Sequence, residues 1–254
     1  MQPDKCIYFS ESAKAHLVTN ELWNFDSLWS IDADWHEQPN QSRRGFSGAA
    51  SVEIQTEDGP RHIFIKRQEN YNVRTLAHPL KGIPTFEREY RSNQKFSQLG
   101  VPVVELMYFG KQTCGGTQRA ILVSYGLDGY APLDDYLVKF CASECHVNAV
   151  LDSVIEAVRT IHENGYRHGC LYGKHIFVRL EGCAENPSIR MLDFEKAQRV
   201  WRSNLWVARD LSQLLRHCDS MQEQARAYLT DKYISATGNT DIRRLLHREL
   251  VKKS

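Results

Sequence analysis

Residues 168–175 read HGCLYGKH and run directly into IFVRL (176–180), which alternates like a strand. Upstream, HVNAVLDSVIEAVRTIHENG (146–165) carries Val147, Val150, Leu151, Val154, Ile155, Val158 and Ile161 at helical steps of three and four, and Gly165 closes it. The short segment is therefore a loop between a long helix and a strand, and it holds two His, a Cys, a Lys and a Tyr. Such a loop can bind a metal, present a thiol nucleophile, handle phosphate or have no chemical task. The surrounding chain decides among these.

At 254 residues, 42% apolar and 10% aromatic, the chain can bury a proper core as one large domain or two lobes. A formal net charge of +1 makes no whole-chain electrostatic case for nucleic acid as a partner. The seven Cys (6, 114, 141, 145, 170, 183, 218) are odd in number, spread out and without a CxxC pair, which favours reduced thiols in a cytosolic protein. The N-terminus MQPDKCIYFSESAK lacks the basic, apolar, small-residue order of a secretory leader. No apolar run approaches the ~18–20 residues that span a bilayer.

Residues 1–41 show no clear period and read as a loose strand-and-loop extension. From 51 the period becomes two: SVEIQ, the turn EDGP, then RHIFIKRQ predict a β-hairpin. TFEREYRSNQKFSQLG (85–100) reads as a helix with Thr85 as N-cap and Gly100 as its stop. VPVVELMYFG and RAILVSYGL read as two further strands. After Gly126 the pattern turns helical: LDDYLVKF, the long helix, and from about 204 NLWVARDLSQLLRHC, MQEQARAYLTDKYI and DIRRLLHRELVKK. Within this half, IFVRL, the turn EGCAENPS and IRMLDFE form a second hairpin that leaves Asp193 at a strand end. The organisation expected is an N-terminal extension (1–41), a strand-rich lobe (42–126) and a helical lobe (127–254).

Metal and thiol chemistry find little support. CASECH (141–146) and the Cys170/His168/His175 group lack the paired short spacings of structural zinc. Cys170 and His168 are two residues apart, whereas catalytic Cys–His partners are normally distant in sequence. Phosphate handling rests on order. RRGFSGAASV (43–52) reads as a small Gly-containing turn before a strand, where short side chains let backbone N–H groups approach a polyanion. A strand lysine, Lys66, follows on the face opposite Ile63 and Ile65, then a helix with Glu87 and Glu89, the 168–175 loop, and Asp193.

That order resembles the protein-kinase-like fold and, more narrowly, the bacterial lipopolysaccharide kinase family of the InaA/WaaP/Kdo kinase kind, over roughly residues 40–220. The resemblance implies a two-lobed α+β fold. It makes RRGFSGAASV the Gly-rich loop, with Gly45 and Gly48, and makes Lys66 in FIKRQEN the lysine on the ATP phosphates. Glu89 becomes its acidic partner, with Glu87 as the alternative. The stretch Ser124–Leu127 would be the hinge whose backbone holds adenine. YRHGCLYGKHIFV would be the catalytic loop, bringing in His168, Cys170, Lys174 and His175. MLDFE would be the metal segment, with Asp193 gripping Mg²⁺ and His175 where protein kinases place a metal-binding Asn. Asp210 would brace the loop, and Lys174 would neutralise the transferring phosphoryl. ATP and Mg²⁺ are the implied cofactors.

The family's third loop position is an Asp that orients the acceptor proton; here it is Cys170. A positioned base contributes about 10²–10⁴ in rate, or roughly 3–5 kcal/mol of barrier, and a thiol of pKa about 8.5 is a poor replacement at neutral pH. Glu195 also stands where Gly usually follows Asp-Phe. The expectation is therefore a lipopolysaccharide-core sugar kinase (heptose or Kdo) of reduced activity, or else a nucleotide-binding pseudokinase with a regulatory role. The acceptor would be a core or lipid A-linked sugar at the cytoplasmic face of the inner membrane. The short segment between LDFE and Asp210 suits a sugar better than an extended peptide. In DIRRLLHRELVKK, Ile242, Leu245, Leu246 and Leu250 line one stripe among Arg and Lys, which suits either an anionic membrane surface or docking on the core.

Overall fold

The computed structural model describes residues 5–36, 38–42, 45–75, 78–140, 143–179, 187–201 and 203–252. The chain forms two compact units, residues 1–91 with 104–128, and residues 92–103 with 129–254. The first contains β1 (Lys5–Phe9), α1 (Glu11–Thr19), α2 (Phe25–Ser30), β2 (Asn40–Ser42), β3 (Gly45–Thr56), β4 (Gly59–Glu69), β5 (Asn72–Thr75) and β6 (His78–Pro84). Helix α3 (Thr85–Gln98) begins in it, and β7 (Leu106–Cys114) and β8 (Thr117–Tyr125) complete it. The second contains β9 (Tyr130–Pro132), α4 (Leu133–Phe140), α5 (Glu144–Glu163), β10 (Tyr166–Arg167), β11 (Ile176–Arg179), β12 (Ile189–Met191), β13 (Gln198–Arg199), α6 (Asn204–Arg216), α7 (Glu223–Thr237) and α8 (Asp241–Val251).

The first unit is built on a six-stranded sheet in the order β1-β7-β8-β4-β3-β2. Strand alternation explains its two faces. Ile63 and Ile65 of β4 and Ile54 of β3 point to one face and are completely buried with Ile121, Val123 and Met107. Residues 1–41 are not the loose strand-and-loop region expected. Their helices α1 and α2 cover this apolar face with Ala13, Leu17, Phe25 and Leu28. The reason they escape a periodicity reading is plain: α1 buries only Ala13 and Leu17, one turn apart, and burial against the sheet, rather than intrinsic pattern, makes the helix worthwhile. Asn24 then starts α2 with a capping box, accepting from the Ser27 amide at 2.8 Å.

The β3–β4 hairpin expected from SVEIQ…RHIFIKRQ is present, but β3 begins at Gly45. The stretch Gly45–Val52 is therefore strand, not a turn before a strand; the connection from β2 passes through 43–44, outside the described residues. The β5–β6 hairpin had no sequence expectation, and VPVVELMYFG becomes strand only from Leu106.

In the second unit, the helical stripe of α5 is buried as its spacing predicts, against Leu211, Leu214, Leu229 and Tyr233 from α6 and α7. The turn EGCAENPS falls largely outside the described residues. Helix α8 resolves its two alternatives. Ile242 and Leu246 are 2% and 3% exposed, and Leu245 and Leu250 pack on the same core. The apolar stripe of Ile242, Leu245, Leu246 and Leu250 is docked on protein, so it is not available to insert into lipid, while Arg243, Arg244, Arg248 and Lys252 around it face outward. Truncating Leu246 to Ala should cost about 2–5 kcal/mol. A urea titration of the variant showing an unchanged midpoint would mean that α8 does not belong to this core.

Candidate functional site

In the first unit the site starts from Lys66 on β4, paired across the sheet with Ala49 and Leu122. Its Nζ donates to Glu89 Oε1 at 2.6 Å. Glu87 is engaged elsewhere, accepting from Arg91 at 2.5 Å and Lys111 at 2.7 Å. The choice between the two acids follows from Gln68, two residues beyond Lys66 on the same strand face. Its buried side-chain oxygen accepts from the Phe86 amide (2.8 Å) and the Thr85 hydroxyl (2.9 Å), while its amide donates to Tyr71 O (2.6 Å). Gln68 thus caps the start of α3, and one helical turn after Thr85 the chain presents Glu89 to Lys66. Gln68 was legible only as another strand residue.

The glycines have structural reasons that do not involve phosphate. A Cβ at Gly45 would collide with the Glu69 carbonyl, and a Cβ at Gly48 would lie 2.8 Å from the Trp35 ring. At the expected hinge, Ser124 lies within β8, and the next two amides are already donating, Tyr125 N to Glu105 O at 3.0 Å and Gly126 N to His62 O at 2.7 Å.

In the second unit the 168–175 loop is organised by Asp210 of α6. Its carboxylate accepts from the amides of His168 (2.6 Å) and Gly169 (3.1 Å) and lies 3.2 Å from His162 Nε2. A carboxylate only accepts, so His162 Nε2 carries a proton toward it, and its Nδ1 lies 2.8 Å from the Tyr233 hydroxyl. Burial alone would raise the Asp210 pKa; the His162 hydrogen bond and charge, with the His168 amide, overcome it and hold it below the ordinary carboxylate value. Gly169 adopts φ +81°, and a Cβ there would meet the Lys196 carbonyl at 2.5 Å, so this corner needs glycine.

His168 is fully buried and its Nδ1 accepts the Cys170 amide at 3.3 Å. Burial pushes its pKa down to about 4, against the opposing charge of Asp210. It is a neutral wedge against Phe194, with ring centroids 4.9 Å apart. Cys170 is 2% exposed. Burial first, and then the charge of Asp193, push its thiol up to about 11, while the neighbouring Lys196 ammonium pulls the other way. Lys196 in turn is raised, chiefly by Cys170. Sequence reading did not single out Lys196, His162 or Tyr233; the first stands directly after LDFE, but only the fold turns it onto Cys170.

The β11–β12 register, Ile176 opposite Met191, brings the residues just outside it together. Leu192 N donates to His175 O at 3.1 Å, and His175 Nε2 reaches Asp193 Oδ2 at 3.2 Å. His175 Nδ1 meets the Cys170 carbonyl at 2.9 Å and must donate to it. The short Nε2–carboxylate contact is then satisfied by a proton on either partner or by a cation. Asp193 and His175 are the two residues here that could hold a divalent cation. Among the described residues no group of three or more His, Cys, Asp or Glu could hold a metal. Asp193 itself sits at φ +64°, a left-handed conformation that Asp tolerates. Lys174 is exposed on the 3₁₀ turn Gly173–His175.

The model of the lipopolysaccharide kinase (Kdo/WaaP) family matches residues 26–233. Protein InaA of Escherichia coli (strain K12) is 29% identical over 218 residues, covering 83% of this chain and 97% of that protein. The solved structure described as WaaP in complex with acyl carrier protein superposes with a TM-score of 0.66 at 14% identity, covering 98% of each chain. The fold is thus the protein-kinase-like α+β fold expected.

The buried His168 has a measurable consequence. Its folded pKa of about 4 lies below the ordinary 6.5, so between these values the unfolded chain binds more protons and stability falls as pH drops. The loss at pH 5 relative to pH 8 should be about 2 kcal/mol, read from urea titrations, and His168→Asn should flatten it. An equal loss in wild type and variant would place the pH dependence elsewhere. Asp210, with its lowered pKa, adds a separate loss that begins only below the ordinary carboxylate value of 3.8.

Proposed function

The chain belongs to the lipopolysaccharide kinase (Kdo/WaaP) family, and we propose that it is an ATP-dependent phosphotransferase acting on a hydroxyl of a lipopolysaccharide core sugar, heptose or Kdo, at reduced rate. The observation that carries this is the Lys66–Glu89 pair at 2.6 Å, a fixed positive charge on the strand where the family binds phosphate. Phosphoryl transfer asks for positioning and charge neutralisation more than for covalent chemistry. Lys66 binds donor phosphate and Glu89 keeps it extended. Asp193, with His175, would hold a divalent cation, taken as Mg²⁺, which would neutralise the phosphates; the imidazole would favour a softer ion. Lys174 faces solvent, available to the transferring group. The sugar is lipid-borne and ATP is cytoplasmic, so the reaction belongs at the inner face of the membrane, where the exposed Arg244, Arg248 and Lys252 favour an anionic surface.

The reduced rate follows from Cys170. A thiol with a pKa of about 11 is ionised to about one part in ten thousand at pH 7. That same observation favours the second reading, a nucleotide-binding pseudokinase with a regulatory role.

The test is phosphate transfer from ATP to extracted core oligosaccharide. The wild type should turn over slowly, Cys170→Asp should gain about 10²-fold, and Lys66→Met should abolish transfer. Turnover gained only on restoring Asp, with ATP bound by the wild type, selects the pseudokinase. No transfer by any form, on heptose- or Kdo-bearing acceptors, defeats the phosphotransferase reading.

A further inference from the structure

The sheet face that carries Lys66 is furnished in an unexpected way. Because Ile63, Ile65 and Arg67 point to the face covered by the N-terminal helices, Phe64, Lys66 and Gln68 share the other. In protein kinases the strand motif is V-A-I-K, with a methyl side chain two residues before the phosphate-binding lysine. Here the motif is F-I-K, and a half-buried phenyl ring stands where the methyl would. A flat purine laid beside the lysine needs that depth empty.

Phe64 is also reinforced from the N-terminal segment. Beyond the short β2, the free edge of β3 is lengthened by Trp35 and His36: Trp35 bridges Ala50, and His36 N donates to Ala49 O at 2.8 Å. Alternation then sends the two rings to opposite faces. Trp35 lies on Gly48 and under the Arg67 guanidinium, 4.6 Å from its ring centre. His36 goes to the Lys66 face and meets Phe64 edge-to-face, with centroids 5.5 Å apart and planes at 89°.

A second, independent observation concerns the stretch that would read the base edge. The amides of Tyr125 and Gly126 already donate within the sheet, and the chain passes so close to β4 that a Cβ at Gly126 would lie 2.7 Å from the His62 carbonyl. His62 and Asp128 pair at 3.1 Å across the same junction. Two amides that could recognise a base are committed, and the segment is drawn down onto the strand that presents Phe64.

We propose that the nucleobase position of this protein is filled by its own Phe64 and His36, so that the donor site recognises a phosphoanhydride through its phosphates and is indifferent to the base. The ligand class is nucleoside triphosphates of any base, and inorganic tripolyphosphate with them. This deepens the phosphotransferase reading and rests on it.

Calorimetric titration of the full chain with the Mg²⁺ complexes of ATP, GTP and tripolyphosphate tests it. In the wild type the three dissociation constants should agree within about threefold, and Phe64→Ala should tighten ATP about tenfold while leaving tripolyphosphate unchanged. His36→Ala, at an exposed position, should move ATP the same way by less. ATP bound at least tenfold tighter than tripolyphosphate by the wild type, or weakened by Phe64→Ala, overturns the inference and leaves the phosphotransferase reading intact. Absence of binding for all three, or binding that Lys66→Met leaves unchanged, removes that reading and the inference together.

Discussion

A buried carboxylate sets the geometry of the helical unit. Asp210 is 1% exposed, and a charge in that position is tolerable only while every partner is in place; removing one leaves an uncompensated charge that costs several kcal/mol. Its partners are the amides of His168 and Gly169 and the His162–Tyr233 pair, so the side chain ties α5, α6 and α7 to two consecutive peptide groups. Everything downstream inherits that placement. Gly169 turns left-handed against the Lys196 carbonyl, the Cys170 amide finds His168, the Cys170 carbonyl finds His175, and His175 finds Asp193.

Groups that manage charge are anchored: Lys66 by Glu89, the α3 register by Gln68, His175 by a carbonyl and a carboxylate. The third residue of the HGCLYGKH loop is by contrast a thiol held neutral by burial, with an ammonium beside it. An Asp introduced at 170 would find Lys196 already at hand.

Much of this could be read in the chain because it depends on period. The α5 stripe, the β3–β4 hairpin and the strand before LDFE all advertise the face they bury. The N-terminal helices do not, since two apolar residues a turn apart carry no periodic signal until a sheet offers them a surface. Glycine spacing suggested a phosphate loop at Gly45 and Gly48, whereas close packing on Glu69 and Trp35 is what excludes a side chain there. A stripe of Ile and Leu among arginines describes α8 equally well on lipid or on protein, and only the core it fills distinguishes them.

By itself the sequence determined which residues can carry charge and in what order they occur: Lys66, the two acids of α3, the HGCLYGKH loop, Asp193 and Asp210. Order and residue type are local properties, and they suffice to identify the family and the class of chemistry. Tertiary structure alone decided that Glu89 rather than Glu87 meets Lys66, that Cys170 is neutral, that Lys196 faces it and that Phe64 and His36 occupy one sheet face. Each of these depends on distances and desolvation between groups far apart in the chain, and neither can be read until the backbone has brought them together.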